Sequence, residues 1–315
     1  MKKLLFTLIQ LVFIVLSSTA ANDTLIVETP IILHTKSGEI YGTLTTPKNF
    51  DKIPVALLIA GSGPTDRDGN NPMMKNNSLK ILAHELSNRG IASLRYDKRG
   101  IAASQKSGKN ESDLRFEDYV NDAKEWIQLL RQDKRFSKVV VIGHSEGSLI
   151  GMIAGNLADK YISVAGAGKS TDKILKEQLT KQPKMVQDIS FPIIDSLKNG
   201  YTVKNVPLLL FSLFRPSIQP YLISWFKYDP QVLIKEISIP VLIIQGSNDI
   251  QITVDDAKLL SAANPSAKLV IIDKMNHIFR IVESTDRQAN ILTYSQEGIP
   301  IAEELIKSIS DFILK

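Results

Sequence analysis

The sequence predicts an α/β fold in which a mostly parallel sheet carries helices on both faces. Three observations predict it. Apolar strand-like runs alternate with stretches whose apolar residues recur every three or four positions. The runs "PVALLIA", "KVVVIG" and "IPVLIIQG" are continuously apolar, as strands buried on both faces are. In a chain of 315 residues, 43% hydrophobic against 23% charged residues is an ordinary globular balance and argues against disorder.

The elements follow in order. Lys2 and Lys3, the apolar stretch from Leu4 to Leu16 and then Ser18-Thr19-Ala20 are the three parts of a secretory signal peptide over residues 1–20. Cleavage is expected after Ala20 or Ala21, giving an exported protein, periplasmic or secreted. The apolar run is shorter than the ~20 residues a bilayer needs, so no stable membrane anchor is expected once it is removed. Without Lys2 and Lys3 the formal charge falls from +5 to +3, a scattered excess that does not argue for nucleic acid. With zero Cys, covalent chemistry must come from oxygen or nitrogen.

"TLIVETPIILHT" and "GEIYGTLTTP" read as an antiparallel hairpin joined through Ser37 and Gly38, and "PVALLIA" as a buried strand. Residues 78–89 place Leu79, Leu82, Ala83 and Leu86 on one helical face before Gly90, and "IASLRY" follows as a strand. Residues 116–130 repeat the pattern before "KVVVIG". After a further strand near Tyr161, the alternation resumes with "IPVLIIQG", a helix from Val254 to Ala263, the strand "KLVIID" and a closing helix carrying Ile301, Leu305, Ile309 and Phe312. Between those halves lie about seventy residues, far more than the ~10–12 a crossover requires. The expected organisation is a core of residues 21–168 and 237–315 with a helical cap inserted at 169–236. Arg215, Pro216, Gln219 and Pro220 interrupt the apolar middle of that insertion and argue against a membrane span.

"VVVIGHSEGSLIGMIAG" carries the chemistry. "GHSEG" fits G-x-S-x-G at a strand-to-helix junction, where Gly143 and Gly147 leave room for a strained turn that lifts the Ser145 hydroxyl above the sheet. Small Gly151 and Gly155 let the following helix lie close to the sheet. A serine nucleophile needs a base, and the chain offers four histidines. His34 and His84 read as solvated surface residues, and His144 as packing or orienting the turn. His277 follows the last strand by a short loop, on the side where such sheets build their sites, and is the expected general base. The orienting carboxylate is expected at Asp249, where "IIQGSND" ends a strand. Asp255 and Asp256 are explained by the start of a helix, and Asp273 comes too early in its loop.

Acyl transfer also requires two backbone N–H groups aimed at the developing oxyanion. Glu146 supplies one. The loop Gly61-Ser62-Gly63-Pro64 supplies the other, assigned to Ser62 with Gly63 as the fallback. The same loop is not a dinucleotide turn, because "GSGPTD" lacks the third Gly and no helix opens until about Ser78. Asp66, Arg67 and Asp68 read as a salt-bridged loop in preference to a pocket mouth, and Asp97 and Arg99 as structural turn residues. Trp225, Phe226 and Tyr228 read as cap core.

The chain order Ser145, Asp249, His277 resembles the α/β-hydrolase superfamily over nearly all of the chain after the signal. More narrowly, "GSGPTDRDGNN", "LRYDKRG", "GHSEGS", "RPSIQPYLISWFKYDP" and "IPVLIIQGSNDIQI" are similar to exported bacterial serine hydrolases with a serine aminopeptidase-like (S33-type) domain and to EstD-type carboxylesterases. The resemblance implies the α/β-hydrolase fold, a mostly parallel eight-stranded sheet with helices on both faces and an inserted helical cap. It also implies hydrolysis of an ester through an acyl-enzyme. Relatives often read D-x-R-G-x-G-x-S where this chain has "DKRGIAAS", with Ala102 at the second Gly. No HGGG-type loop is present, which favours an esterase over a true lipase.

The expected function is a serine carboxylic ester hydrolase acting on a small-molecule ester or a short peptide-like substrate. No metal or organic cofactor is expected, since no His/Glu cluster has ligand spacing. A serine aminopeptidase or amidase is the first alternative and needs an acidic anchor for the substrate amine, for which Asp66, Asp68 and Glu146 are candidates. The second is a catalytically silent hydrolase fold used for binding, which failure to label with a fluorophosphonate would mark.

Overall fold

The computed structural model describes residues 26–315, so the expected signal peptide and its cleavage point lie outside the described residues. Strands β1 (Ile26–Thr35) and β2 (Gly38–Pro47) form the expected hairpin, with Thr35 opposite Gly38. Then follow β3 (Ile53–Ile59), helix α1 (Ser78–Ser87), β4 (Ala92–Tyr96), α2 (Phe116–Gln132), β5 (Phe136–His144), α3 (Glu146–Ala154) and β6 (Lys160–Val164). Five helices come next: α4 (Thr171–Leu179), α5 (Lys184–Lys198), α6 (Phe211–Phe214), α7 (Gln219–Trp225) and α8 (Pro230–Lys235). The chain closes with β7 (Val241–Gly246), α9 (Val254–Ala263), β8 (Lys268–Ile272), α10 (Arg287–Leu292) and α11 (Glu303–Leu314).

The eight strands form one sheet in the order β1-β2-β4-β3-β5-β6-β7-β8. Only β2 runs against its neighbours, and β3 to β8 are parallel. Alternation along the central strands sends side chains to two separate cores. Val55, Leu57 and Ile59 of β3 face α2 and α3, where Trp126, Ile127 and Ile150 are buried. Ala56 and Leu58 face α1 and α11, where Leu82, Leu86, Leu305 and Ile309 are buried. This double burial is why those strands are apolar without a break. It leaves the carboxyl edge of the parallel strands as the place where loops converge.

Helices α4 to α8 fill the insertion between β6 and β7. Their buried Ile193, Ile194, Leu197, Phe214 and Phe226 join the same core as α2 and α3. The apolar run through Leu208 and Phe214 breaks where expected. Arg215 takes extended backbone, and the buried Gln219 amide bonds Val203 at both its N–H and its carbonyl. Among the described residues no helix is long and apolar enough to cross a membrane.

Candidate active site

Ser145 sits between β5 and α3 with φ 56° and ψ −118°, a conformation that side chains avoid and that neighbouring structure must hold. Its N–H is tied to the Val164 carbonyl at 3.0 Å. A Cβ on Gly143 would overlap the backbone of Gly147 and Ser148, and one on Gly147 would run into the Ile59 and Ala60 carbonyls. The glycine pattern therefore has the steric cause the sequence suggested. Gly151 also lets α3 approach the sheet, since a Cβ there would stand 2.8 Å from the Tyr161 ring. Gly155 does not, because its Cβ would meet Tyr161 at an ordinary 3.6 Å.

Asp249 and His277 meet across the loops after β7 and β8, with Oδ2 accepting from Nδ1–H at 2.7 Å. The pair is shielded, with side chains 0% and 6% exposed. Every lone-pair direction of the carboxylate is occupied. Oδ1 accepts the N–H groups of Gln251 (2.8 Å) and Ile252 (3.0 Å), and Oδ2 also accepts the Gln245 side-chain amide (3.0 Å). Burial alone would raise the Asp249 pKa, but the facing His277 and these N–H groups more than offset it and hold it below the usual carboxylate value. Such a carboxylate stays ionised and fixes the imidazole with Nε2 free for proton transfer. The His277 loop is itself pinned, since the Asn276 side-chain oxygen accepts the N–H groups of Ile278 and Arg280.

His277 and Ser145 line one cavity of about 190 Å³ together with Ser62, Gln251 and Tyr294. Among the described residues no hydrogen bond joins the Ser145 hydroxyl to His277, an arrangement common where substrate is needed to tighten the contact. Among the described residues the N–H groups of Ser62 and Glu146, on the loop after β3 and the first turn of α3, donate to no backbone acceptor. Both residues line a second cavity of about 310 Å³ with Ser145, walled by Leu149, Ile174, Leu213, Leu222 and Trp225. Trp225 packs against Phe116 and Tyr221, as expected of cap core, and also walls this cavity. Phe226 is fully buried as expected, and the Tyr228 hydroxyl ties the cap to Glu117 of α2 at 2.9 Å.

The remaining histidines and carboxylates have other employment. His34 is exposed beside Glu39, and His84 pairs with Glu28 at 2.8 Å. His144 packs against His277, the rings tilted by 47°, and donates Nε2–H to its carbonyl at 2.9 Å. Asp256 closes a capping box with Thr253, and Asp273 accepts from Ser247. Arg67 pairs with Asp97 at 2.7 Å and Asp68 with the buried Arg95 at 2.8 Å, so this loop is the salt-bridged one expected. Asp97 also accepts the Ala103 N–H, although Ala102 adopts the left-handed φ of 43° that favours glycine. Arg99 pairs with buried Asp122 at 2.5 Å.

The sequence reading missed two groups. Gln245, read only as part of a strand, supports Asp249. Lys98 and the side chain of Glu146 form a buried ion pair at 2.9 Å. Their separation of 48 positions carries no periodic or motif signal.

Sheet order, elbow and insertion together define the α/β-hydrolase fold. A family model described as serine aminopeptidase, S33, matches residues 76–199, a span that holds Ser145 but neither Asp249 nor His277. The chain is 26% identical over 288 residues to Esterase EstD of Thermotoga maritima, covering 87% of this chain and 65%, just under two thirds, of that relative's length. Est1E from Butyrivibrio proteoclasticus, solved with ferulic acid bound, superposes with a TM-score of 0.61 at 15% identity over 90% of this chain and 99% of that one. Dipeptidyl peptidase 4 of Porphyromonas gingivalis superposes at 0.56 and 14% identity over 91% of this chain and 35% of that one. One fold thus serves both esterases and peptidases, and the site must decide between them.

Proposed function

We propose that this protein is a serine carboxylic ester hydrolase working through an acyl-enzyme. The observation that carries the reading is the shielded Asp249–His277 pair, whose His277 lines one cavity with Ser145 on a strained elbow. His277 takes the Ser145 proton as the oxygen attacks the ester carbonyl, and the oxyanion accepts from the N–H groups of Ser62 and Glu146. His277 then gives that proton to the departing alcohol. Water attacks the acyl-enzyme with His277 again as base, and the proton returns to Ser145 as the acid leaves.

The cavities supply an orientation. The leaving oxygen must lie within reach of His277, which lines the small chamber beside polar Thr65, Asn71 and Asn76. The acyl group then takes the mainly apolar chamber that Ser145 also lines. This favours esters of a short or medium apolar acid with a small hydrophilic alcohol. The S33 match is what favours a peptidase, as is the fold shared with a dipeptidyl peptidase. Against it, an aminopeptidase needs a free carboxylate for the substrate amine. Asp68 and Glu146 are engaged with Arg95 and Lys98, and Asp66 accepts two N–H groups of its own loop.

The deciding measurement is hydrolysis of p-nitrophenyl esters from acetate to palmitate beside aminoacyl-p-nitroanilides. Ester turnover that Ser145→Ala lowers by about 10⁴-fold or more is expected. Turnover of the anilides alone would replace this reading with the peptidase, and no turnover with no fluorophosphonate labelling would leave a binding protein.

A further inference from the structure

Lys98 follows β4 in the loop Asp97-Lys98-Arg99, and its ammonium is almost wholly out of solvent, with a side chain 1% exposed. A buried lysine is costly unless each of its donors has a partner. Its Nζ donates to the Gly61 carbonyl at 2.6 Å and to Glu146 Oε1 at 2.9 Å, and stands 5.1 Å from the centre of the Tyr119 ring. Tyr221 of cap helix α7 donates to the other Glu146 oxygen at 3.0 Å.

One acceptor, Glu146, itself carries one of the oxyanion donors, and the other, Gly61, immediately precedes Ser62, which carries the second. The Gly61 carbonyl and the Ser62 N–H belong to one planar trans peptide and point in opposite directions. An ammonium on the carbonyl therefore fixes where the N–H points, and by polarising the peptide strengthens it as a donor. Glu146 supplies the second N–H from its backbone while its carboxylate holds the same ammonium. We propose that Lys98 is a positioning residue that locks the Ser62 and Glu146 N–H groups into one oxyanion-binding pair, with Tyr221 extending the lock to the cap. The proposal rests on the serine hydrolase reading above.

Lys98→Met alone strands a buried carboxylate, so the informative variant is Lys98→Met with Glu146→Gln, which removes both charges at nearly constant volume and leaves an acceptor for Tyr221. Folding is checked by thermal melting, and the wild type is first labelled with a fluorophosphonate. The folded double variant is expected to lose on the order of 10- to 100-fold in kcat, less than deletion of a donor costs because both N–H groups remain. KM is expected to stay within about threefold. Affinity for a trifluoromethyl ketone, whose serine adduct places an oxyanion in the same position, should weaken by the same factor as kcat/KM. A purely structural role would lower the melting temperature and leave that affinity unchanged. A folded double variant with wild-type kcat, or with lowered kcat and undiminished ketone affinity, overturns the proposal. A wild type that neither labels nor turns over ester removes the hydrolase reading, and this proposal with it.

Discussion

His144, the residue before Ser145, shows how burial sets a protonation state. Desolvation, followed by the nearness of His277, pushes its pKa down to about 3, while its bond to the His277 carbonyl and the Asp249 carboxylate act in the opposite sense. Its one partner is a carbonyl, so the ring is neutral with its proton on Nε2. In the unfolded chain the same ring takes a proton near pH ~6.5. Between that pH and about 3 the unfolded state binds the extra proton. The contribution is therefore whole above about pH 6.5 and is lost as the pH falls towards the folded value. His144→Gln keeps an amide donor for the carbonyl and does not titrate. Its stability should fall about 1–3 kcal/mol less than the wild type's between about pH 6.5 and about pH 4. Denaturant melts across that range test this, and parallel profiles for the two proteins would refute it. The candidate triad is itself legible residue by residue, because each member follows a strand at a local signal: a Gly-flanked turn, a Gly-Ser-Asn-Asp loop, and one eligible histidine among four. Gln245, which supports Asp249, and Lys98, which bonds Gly61 and Glu146, have no local signal, and their placement comes entirely from tertiary contact.

At the scale of elements, strands and core helices read largely correctly because double burial makes the one continuous and the other periodic, although Ile301, expected on the closing helix, precedes α11. The hairpin turn, the onset of α1 at Ser78 and the span of α9 all stand where composition put them. The insertion was legible as helical but not in its internal arrangement. Its helices α6, α7 and α8 have between four and seven residues, too short for periodicity to tell a face buried in the cap from one lining a chamber. For that reason Trp225 was legible as cap core but not also as a chamber wall. The loop after β3 was legible in kind, and its ion pairs make a prediction that separates structure from substrate binding. Asp68→Ala leaves Arg95 with Glu28 and Thr45 as partners. It should therefore cost about 1–2 kcal/mol, below the value for a fully orphaned buried charge. Ester and peptide activity should fall together, if at all, since Asp68 is not free to hold a substrate amine. A selective loss of peptide turnover in this variant, at unchanged stability, would instead make Asp68 an amine anchor.

At the scale of the whole molecule, the cavities around the site lie where core and cap face each other. Ser62 lines all three cavities around the site, including the largest, of about 530 Å³, which opens beside Lys109 and Arg215. Leu222 and Trp225 of α7 form the wall between that chamber and the apolar one. The apolar chamber reaches the surface at Leu213, which lines it while remaining 42% exposed. A larger side chain there narrows the chamber from its outer end without compressing a packed core, so the overpacking penalty of an interior substitution is avoided. Leu213→Trp should leave the melting temperature within about 2 °C of the wild type. It should leave acetate hydrolysis unchanged and lower kcat/KM on the longest accepted acyl ester by about tenfold, moving the chain-length optimum to shorter acids. An optimum that does not move would place the acyl group in the larger chamber beyond Leu222 and Trp225. In that case the alcohol would keep its seat beside His277, because proton delivery to the leaving oxygen fixes that half of the substrate whichever chamber takes the other.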